Sequence, residues 1–401
     1  MSFIKIPSKG MRDILPQEMF LREYVLNIMK ETYKKFGFNS IETPIVEHIE
    51  NLTNKSGGDN EKLIFKILKR GEKLDLNNIV DETSLVDSGL RYDLTVPLTR
   101  YYSNNESLLE TPFRSLQIGN VFRAERPQKG RFREFLQCDI DILGEKTNLA
   151  EIELITAVIT FLKKLDFKDF TIKINDRKIL KAMVLYAGFL ESDISKVLIS
   201  LDKMDKIGFD GVKDELLSLG YNESNVIKFL DLFNNEIDID SFTKIINVDL
   251  GVVNNLKEII DITSNITDAR IIFDPTLVRG MNYYTGPIFE IKVEEISSAI
   301  GGGGRYDEMI SKYSNLDTPA CGFSIGFERL ILILKERGFK VPTSSTKIAL
   351  IINDNSNKLE VIKEANSLRK DNVVVKVVKR SKNFKHQIEV LEENNYTYKE
   401  I

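Results

Sequence analysis

The stretch Phe122–Gly144, FRAERPQKGRFREFLQCDIDILG, constrains the fold more than any other part of the chain. A basic segment that contains Pro127 and Gly130 separates two runs rich in aromatic and aliphatic residues, Leu116–Phe122 and Phe132–Leu143. Proline and glycine interrupt helices and are common in turns, so the two runs are predicted to pair as antiparallel strands. The predicted structure is a hairpin with a basic tip.

The charges of this hairpin are separated by sign. Within eleven positions, the tip carries five basic residues: Arg123, Arg126, Lys129, Arg131 and Arg133. The alternating run that follows carries Gln137, Asp139 and Asp141. A polyanion could lie along the arginines while the acids hold a small cationic or amine group. The alternative is an exposed charged hairpin that binds no ligand.

Length and composition predict a soluble protein of two or three domains, because 401 residues with 42% hydrophobic and 29% charged residues are ordinary for that class. The formal net charge of −4 gives no signal for nucleic-acid binding by the whole protein, so any basic surface is expected to be local. The first thirteen residues lack the apolar core of a signal peptide, and no run reaches membrane-spanning length. We therefore expect a cytoplasmic protein with no membrane partner.

Few residues are available for metal binding or covalent chemistry. The two cysteines, Cys138 and Cys321, form neither a disulfide framework nor a metal-ligand pattern. The two histidines, His48 and His386, are too few for a zinc site or for a mechanism with several catalytic histidines. No protein side chain is predicted as a metal ligand.

The sequence pattern divides the chain into four segments. Residues 1–177 alternate helices and strands, and residues 178–266 are helical and polar, which predicts an inserted helical domain. Strand-like sequence resumes in residues 267–337. Residues 346–401 follow a strand-helix-strand-helix order, which predicts a small α/β domain with parallel pairing.

Two helices of the first segment are predicted from residue spacing. Gln17–Phe36 has the apolar spacing of an amphipathic helix. Another helix is predicted to begin at Asn148, because Asn148 and Glu151 have the spacing of a capping box.

The segment Leu90–Thr99, LRYDLTVPLT, offers a first binding element. Asp93 and Thr95 are two positions apart and would share one face of a strand. A carboxylate beside a hydroxyl suits an ammonium group. The alternative is a cross-strand salt bridge.

Two glycine-containing segments offer further binding elements. In Leu277–Ile291, LVRGMNYYTGPIFEI, Gly280 and Gly286 bracket a tyrosine pair and let the backbone approach a ligand. The run GGGGRYD at 301–307 leaves room for a ligand against bare backbone, and it lacks the order of a P-loop or a dinucleotide site. For the first segment the alternative is a hairpin whose tyrosines belong to the core. For the second segment the alternative is a flexible loop.

The segment Gly322–Leu334, GFSIGFERLILIL, places Arg329 at the start of a strongly apolar helix. A buried arginine is costly to desolvate unless it meets an anion. The segment therefore predicts an anion site, and the alternative is a structural ion pair with a buried carboxylate.

Together these segments resemble the class II aminoacyl-tRNA synthetases, specifically the histidyl-tRNA synthetase family, over nearly the whole chain. Phe38–Val46 resembles motif 1, the dimer-interface element, FRAERPQKGRFREF resembles motif 2, and GFSIGFERL resembles motif 3. LVRGMNYY and GGRYD resemble the two histidine-specific signatures, and KGMRDILPQE resembles the N-terminal signature. RYDLT and SGGDNEKLIFKIL resemble one branch of the family.

The resemblance implies an α+β class II fold: an antiparallel six- to seven-stranded sheet flanked by helices, a helical insertion, and a C-terminal anticodon-binding α/β domain. That last domain looks shortened, because the family usually continues through another strand after its second helix. The implied activity is ATP-dependent activation of histidine to histidyl-adenylate and transfer of the histidyl group to histidine tRNA. The implied partners are ATP, Mg²⁺, histidine, histidine tRNA and a second copy of the chain in a homodimer.

Two rival functions share this resemblance. One is a non-catalytic, histidine-sensing regulatory subunit of ATP phosphoribosyltransferase, which typically loses the arginines and the anticodon domain. The other is a free-standing synthetase-like amino-acid ligase or tRNA-modifying relative, against which the intact histidine signatures argue.

The resemblance also implies roles for individual residues. The residues expected at the reacting phosphates are Arg123, Arg279 and Arg329. The residues expected to hold ATP are Arg123, Glu125, Arg131, Phe135 and Arg329. Histidine is expected to contact Asp93, Thr95, Gln137, Asp141, Tyr283, Tyr284, Gly303 and Gly304. The acceptor end of the tRNA is expected to contact Arg126, Gln128 and Lys129. Asn282 departs from the family pattern, which carries an acid there, so a neighbouring arginine is expected to lose an orienting carboxylate.

Overall fold

The computed structural model describes residues 3–53, 59–77, 79–128, 130–233, 238–279, 283–313, 317–342, 346–371 and 373–401. The chain forms two compact units, Met1–Gly338 and Phe339–Ile401. The larger unit contains the segments that were predicted to carry chemistry. The smaller unit contains the segment that was predicted as an α/β domain.

The larger unit is built around a mixed sheet. The strands of this unit in chain order are β1 (Asn39–Ile41), β2 (Val46–His48), β3 (Lys66–Leu68), β4 (Val86–Leu90), β5 (Phe113–Phe122), β6 (Glu134–Leu143), β7 (Phe170–Asp176), β8 (Arg270–Phe273), β9 (Pro287–Val293), β10 (Ile296–Arg305) and β11 (Ala320–Gly326). Strands β2, β4 and β3 form a small sheet of their own in that order. Among the described residues, the central sheet has eight strands in the order β1-β5-β6-β11-β10-β9-β7-β8. Only its two outer pairs, β1 with β5 and β7 with β8, are parallel. The predicted α+β fold is confirmed, with one strand more than the upper expectation.

Helices flank the sheet. In chain order they are α1 (Pro16–Lys35), α2 (Ile49–Thr53), α3 (Thr95–Asn105), α4 (Leu149–Lys164), α5 (Arg177–Tyr186), α6 (Ile194–Leu201), α7 (Met204–Ser218), α8 (Glu223–Leu230), α9 (Ile239–Ile245), α10 (Leu250–Thr267) and α11 (Phe327–Glu336). Helices α5 to α10 occupy the segment that was predicted to be helical. No helix in the described part of the chain is long and apolar enough to cross a membrane.

The helix predicted at Gln17–Phe36 is confirmed as α1. Its buried apolar side chains recur every four residues: Leu21, Val25, Met29 and Tyr33. The Tyr33 ring lies 5.7 Å from the ring of Phe161 on α4, so this apolar face packs on α4.

The predicted capping box at the start of α4 is wrong. Asn148 precedes the helix, but its side chain makes no cap bond and donates instead to Glu258. Glu151 is buried and accepts two hydrogen bonds of 2.7 Å from Arg305 at the end of β10. The carboxylate is therefore used for a tertiary ion pair that joins α4 to the sheet, and not for the helix terminus.

The glycine run forms the second half of β10, between β9 and β11, and the flexible-loop alternative is wrong. The backbones approach closely at this place. A Cβ added at Gly303 would stand 1.9 Å from the carbonyl oxygen of Gly322 on β11. Glycine is required here because any side chain would push the two strands apart.

The smaller unit contains β12 (Lys347–Ile352), α12 (Lys358–Lys370), β13 (Val374–Lys379), α13 (Phe384–Glu393) and β14 (Thr397–Glu400). Its sheet has the order β13-β12-β14, and both pairs are parallel, as predicted. The expectation that the chain ends before a third strand is wrong, because Thr397–Glu400 pairs with β12. Leu350, Val361 and Ala365 form the core between β12 and α12.

Candidate active site

A cavity of about 250 Å³ lies where the β5–β6 hairpin, the start of α3, the segment before β9, strands β10 and β11 and the start of α11 converge. Most of the predicted site residues lie on its wall: Asp93, Thr95, Arg123, Glu125, Arg131, Phe135, Gln137, Asp141, Arg279, Tyr283, Tyr284, Gly303 and Arg329. Segments that are far apart in sequence thus contribute to one site.

Asp93 and Thr95 reach the cavity from a loop and a helix. Strand β4 ends at Leu90, and Thr95 is the first residue of α3. The Asp93 carboxylate accepts a hydrogen bond of 3.0 Å from the Val96 backbone N–H. The prediction of a shared strand face is wrong, because this carboxylate holds the first turn of a helix. Both side chains are buried, and burial raises the pKa of Asp93.

Strand β6 presents a row of polar side chains to the cavity. Gln137, Asp139 and Asp141 alternate along the strand, so they point to the same face, and all three are buried. Asp141 Oδ1 accepts a hydrogen bond of 2.7 Å from the Tyr306 hydroxyl. Asp139 accepts hydrogen bonds from Gln137 and from Ser324 on β11.

Two oxygens of this row have no hydrogen-bond partner among the described residues. They are Gln137 Oε1 and Asp141 Oδ2, and both are buried. An unpaired buried acceptor costs free energy, and native proteins seldom leave one unexplained. The two oxygens are therefore placed to receive hydrogen bonds from a ligand that carries two separate donors.

The cavity is strongly acidic at this end. Burial raises the pKa of Asp141 well above its usual range, and the charge of Asp139 raises it further. Burial also raises the pKa of Asp139 to about 7. A cationic ligand would lower these pKa values and stabilise the ionised carboxylates.

Tyrosines form the adjoining wall. The Tyr283 and Tyr284 rings are 4.8 Å apart, and the Tyr283 ring is 5.8 Å from that of Tyr306. Tyr283 and Tyr284 are half-buried: they line the cavity, and they also pack against a hydrophobic core cluster, so both interpretations hold in part. The predicted contact residue Gly304 does not line the cavity. A Cβ there would stand 2.9 Å from the Tyr284 ring, so Gly304 makes room for that tyrosine.

Arginines form a basic part of the same cavity wall. Arg123, which follows β5, donates a hydrogen bond of 3.1 Å to the Tyr92 carbonyl oxygen. Its guanidinium lies 4.3 Å from the Tyr92 ring centre and 5.1 Å from that of Phe135. These contacts fix the position of the charge without neutralising it.

Arg279 and Arg329 differ in how they are paired. Arg279 forms an ion pair of 3.1 Å with Glu290 on β9. Arg329 donates to the backbone carbonyl oxygen of Ala299 and forms no ion pair with a described carboxylate. Burial lowers the pKa of Arg329, and the charge of Arg131 lowers it further. The alternative of a structural ion pair therefore fails for Arg329. Its neighbour Glu328 forms that kind of pair instead, with Arg22 at 2.7 Å.

The basic tip is a tight turn, as predicted. Gln128 and Arg131 exchange backbone hydrogen bonds of 3.1 and 2.9 Å, and Gly130 has a φ of +72°. Arg126 and Gln128 are exposed and lie outside the cavity wall, while Arg131 contacts Glu125 at 3.5 Å. Lys129 and Asn282 lie outside the described residues.

The sequence model described as Histidyl-tRNA synthetase matches residues 10–330. The chain belongs to the histidyl-tRNA synthetase family.

Individual relatives agree with this assignment. The histidine--tRNA ligase of Leifsonia xyli subsp. xyli is 46% identical over 344 residues, which cover 82% of this chain and 80% of the relative. The histidine--tRNA ligase of Christiangramia forsetii is 35% identical, over 97% of this chain and 90% of the relative. The crystal structure of histidyl-tRNA synthetase from Nostoc sp. PCC 7120 has a TM-score of 0.78 and 26% identity, over 98% of this chain and 90% of that one.

Some cavity residues of this histidyl-tRNA synthetase family member received no individual role from the sequence. Among them are Asp139, Tyr306 and Ser324. Asp139 had a usable signal, because it lies between two predicted residues on the same strand face. Tyr306 and Ser324 lie within the quoted segments GGGGRYD and GFSIGFERL, but the sequence did not indicate their contacts, because each meets its aspartate only through the order of β6, β11 and β10 in the sheet.

The described residues of this family member do not form a metal site. They contain no group of three or more His, Cys, Asp or Glu side chains suited to a metal ion. The carboxylates near the basic end face arginines: Glu125 faces Arg131, Glu290 faces Arg279, and Glu328 faces Arg22. The donor set therefore does not fit a Mg²⁺ ion bound by protein side chains alone.

Proposed function

We propose that this protein activates histidine with ATP to form histidyl-adenylate and then transfers the histidyl group to histidine tRNA. The observation that carries this proposal is the polarity of one cavity. Two buried, unpaired acceptor oxygens lie on β6, and several arginines line the same cavity. A substrate with two hydrogen-bond donors can therefore react there with a polyanion.

The acidic end is proposed to hold histidine. Gln137 Oε1 accepts a hydrogen bond from the α-ammonium group, and Asp93 and Thr95 surround the same group. Asp141 Oδ2 accepts a hydrogen bond from an imidazole N–H, and Tyr284 contacts the other side of the ring. An amino acid without a ring N–H leaves Asp141 unpaired in a buried place, which discriminates against it by roughly 10⁴-fold.

The basic end is proposed to hold ATP. Phe135 stacks on the adenine, Glu125 contacts the adenine edge, and Arg131 and Arg329 hold the outer phosphates. Arginine suits this role because its planar guanidinium forms paired hydrogen bonds to phosphate oxygens. Mg²⁺ brought with the nucleotide would supply further neutralisation of the phosphate charge.

The first reaction needs no nucleophile from the protein. A carboxylate oxygen of histidine attacks the α-phosphorus, the bond from that phosphorus to the bridging oxygen breaks, and pyrophosphate leaves. Arg123 and Arg279 are proposed to stabilise the charge that develops on the α-phosphoryl oxygens. In the second reaction, a hydroxyl of the terminal tRNA ribose attacks the histidyl carbonyl carbon, and AMP leaves.

The tRNA is proposed to meet two surfaces. The hairpin tip with Arg126, Gln128 and Lys129 is proposed to face the acceptor end, and Arg126 and Gln128 are exposed. Residues 340–401 carry twelve Lys and Arg against eight Asp and Glu, and this excess suits the phosphate backbone of the anticodon arm. We accordingly propose a catalytic core at 1–177 and 267–337, a helical insertion at 178–266 and an anticodon-binding domain at 346–401.

A homodimer in the cytoplasm is also proposed. Apolar side chains are exposed beside the motif 1 segment and along α1: Leu15, Met19, Phe20, Ile45 and Val46. A second copy that covers them would bury a patch that soluble monomers seldom expose. A sedimentation mass of one chain at micromolar concentration would contradict this assembly.

The function is tested by ATP–pyrophosphate exchange with each of the twenty amino acids. Histidine alone should support exchange. The Asp141→Asn variant should raise KM for histidine by about 10²-fold or more while KM for ATP stays within twofold, because the unpaired acceptor is replaced. Glu134→Gln, on the same strand but outside the cavity wall, is the matched control.

The other outcomes separate the rival functions. Exchange supported equally by another amino acid would reject the histidine pocket. Histidine binding without exchange would favour a regulatory subunit over an enzyme.

A further inference from the structure

We propose that Asp139 is a positioning residue that fixes the side-chain amide of Gln137, and thereby makes the site selective for a substrate with a protonated α-amino group. This inference rests on the proposed function, since it concerns the same cavity. Asp139 acts through Gln137 and is distinct from the residues that were expected to contact histidine.

The geometry places the Gln137 amide nitrogen between acceptors. Gln137 Nε2 lies 3.2 and 2.9 Å from the two carboxylate oxygens of Asp139 and 3.2 Å from Ser324 Oγ. The Ser324 hydroxyl donates to Asp139 Oδ1. The carboxylate therefore organises both neighbouring polar side chains.

An ionised carboxylate can only accept hydrogen bonds. If the Gln137 amide were reversed, its oxygen would face the two oxygens of Asp139, and electrostatic repulsion would oppose that arrangement. The carboxylate thus holds the NH₂ group of Gln137 and leaves Oε1 as the group available to a ligand. Oε1 is buried and has no partner among the described residues. An oxygen in that position accepts from an ammonium group, whereas an NH₂ group would repel it.

Asp139 itself is poorly compensated. It is buried and forms no ion pair with any described residue, although Ser324 and Gln137 donate to it. The charged and titratable groups that interact with it are Asp93, Asp141, Arg91, Arg123, Tyr33, Cys138 and Tyr283. The nearby acids oppose its charge, so the hydrogen bonds from Gln137 and Ser324 are what stabilise the carboxylate, and the carboxylate in turn holds these two side chains.

The experiment compares two ligands on the full chain. Histidine and 3-(imidazol-4-yl)propionate share the imidazole and the carboxylate, and only histidine has the amine. Their dissociation constants are measured by calorimetry for the unmodified protein and for Asp139→Asn. We expect the variant to bind histidine at least tenfold more weakly and to bind the propionate within twofold of the unmodified protein. KM for ATP should also stay within twofold.

A double-mutant cycle tests whether Asp139 acts through Gln137. In a Gln137→Ala background, Asp139→Asn should change the preference for histidine over the propionate by less than twofold. Glu134→Gln is the matched control on β6, and thermal unfolding of each variant shows whether it is folded. If Asp139→Asn fails to fold, Asp139→Ser replaces it in the same comparison.

Three results would overturn the inference. The first is that Asp139→Asn weakens the binding of histidine and of the propionate equally. The second is that the variant keeps the unmodified protein's preference for histidine. The third is that Asp139→Asn changes this preference as much in the Gln137→Ala background as in the unmodified protein. If histidine supports exchange in the unmodified protein, such a result rejects only the role of Asp139. If histidine neither binds nor supports exchange, the proposed function fails as well.

Discussion

Arg305 and Arg329 are both largely buried arginines near the central sheet, and their surroundings are opposite. Arg305 meets Glu151 through two hydrogen bonds of 2.7 Å and also donates to the carbonyl oxygens of Glu145 and Thr147. Arg329 has one backbone carbonyl partner, and its charged neighbours are three arginines, Arg123, Arg131 and Arg279, and one acid, Glu290, which is itself paired with Arg279. Arg305 is paired with a carboxylate and makes a structural contact, whereas Arg329 has no anionic partner among the described residues.

The difference shows that some buried charges stabilise the fold, whereas others are placed to bind a ligand. A buried ion pair with all its hydrogen bonds made joins two elements firmly, and breaking it is expensive. Charges of one sign grouped in a cavity oppose folding, and a protein retains them where a ligand of opposite sign compensates. The same residue type therefore indicates packing at one place and binding at another, according to its partners.

The largest expected effect is on stability, from Arg305→Ala. The change leaves Glu151 buried and unpaired, so the free energy of unfolding should fall by about 3–5 kcal/mol. Urea unfolding measures this. Lys181→Ala, which removes an exposed pair with Glu191, should leave the urea midpoint almost unchanged, because solvent screens exposed charges. If the two variants lowered the free energy of unfolding equally, Arg305 would contribute no more to stability than an exposed ion pair does.

The next effect is on catalysis, from Arg279→Ala. The adenylation rate should fall by about 10²-fold or more, equivalent to about 2.7 kcal/mol, because the proposed contact is made chiefly in the transition state. Single-turnover kinetics measure the rate, and calorimetry should show nearly unchanged histidine affinity. Glu290 keeps Lys292 as a partner at 3.4 Å, so stability should change little. A large loss of histidine affinity with a normal chemical step would argue against this role.

A third prediction concerns stability and pH at Asp139. Its pKa is raised to about 7 in the folded protein, chiefly by burial, so the ionised form destabilises the fold. The stability contributed by the protonated form is present below the unfolded pKa and is lost as the pH rises through about 7. The difference in free energy of unfolding between Asp139→Asn and the unmodified protein should therefore shift in favour of the variant by about 1–3 kcal/mol as the pH rises from 5 to 8. Urea unfolding at both pH values checks this, and a relative loss at pH 8 would show that the carboxylate is stabilising.

The smallest effect is expected on the surface of the smaller unit. Lys382 and Lys385 are exposed at the start of α13 and form no ion pair among the described residues. Replacing both with alanine should weaken tRNA binding about tenfold at low salt and reduce the salt slope by about 2, with pyrophosphate exchange unchanged. Lys358→Ala with Lys363→Ala on α12 is the charge-matched control. A similar loss in both variants would indicate unspecific attraction.

Sequence patterns predicted the parts of the fold that depend on local spacing. The β5–β6 hairpin, α1 and the parallel strands of the smaller unit all follow from periodicity and turn residues that are close in sequence. Asp93 was assigned to a strand because two-residue spacing fits a strand, but its carboxylate holds the first turn of α3 instead. Glu151 was assigned to a helix cap, and its partner Arg305 is 154 positions away.

The site was predicted where a residue type alone suggests a ligand, as for the arginines and the acids of β6. It was missed where the contact depends on which strands are neighbours. Tyr306 reaches Asp141 across β11, and Ser324 faces Asp139 because of the register between β6 and β11. Neither contact leaves a local pattern in the sequence.

The close approach of Gly303 to Gly322 also limits how this cavity can change under selection by an inhibitor. A side chain at Gly303 would strike the Gly322 backbone at 1.9 Å, and one at Gly322 would strike the Asp141 carboxylate at 2.0 Å. Resistance commonly requires a pocket wall to add bulk while activity survives, and neither position can add bulk without displacing a neighbouring strand or a proposed substrate contact. A compound that lies flat on this strip of bare backbone would therefore leave the protein few single substitutions by which to escape it.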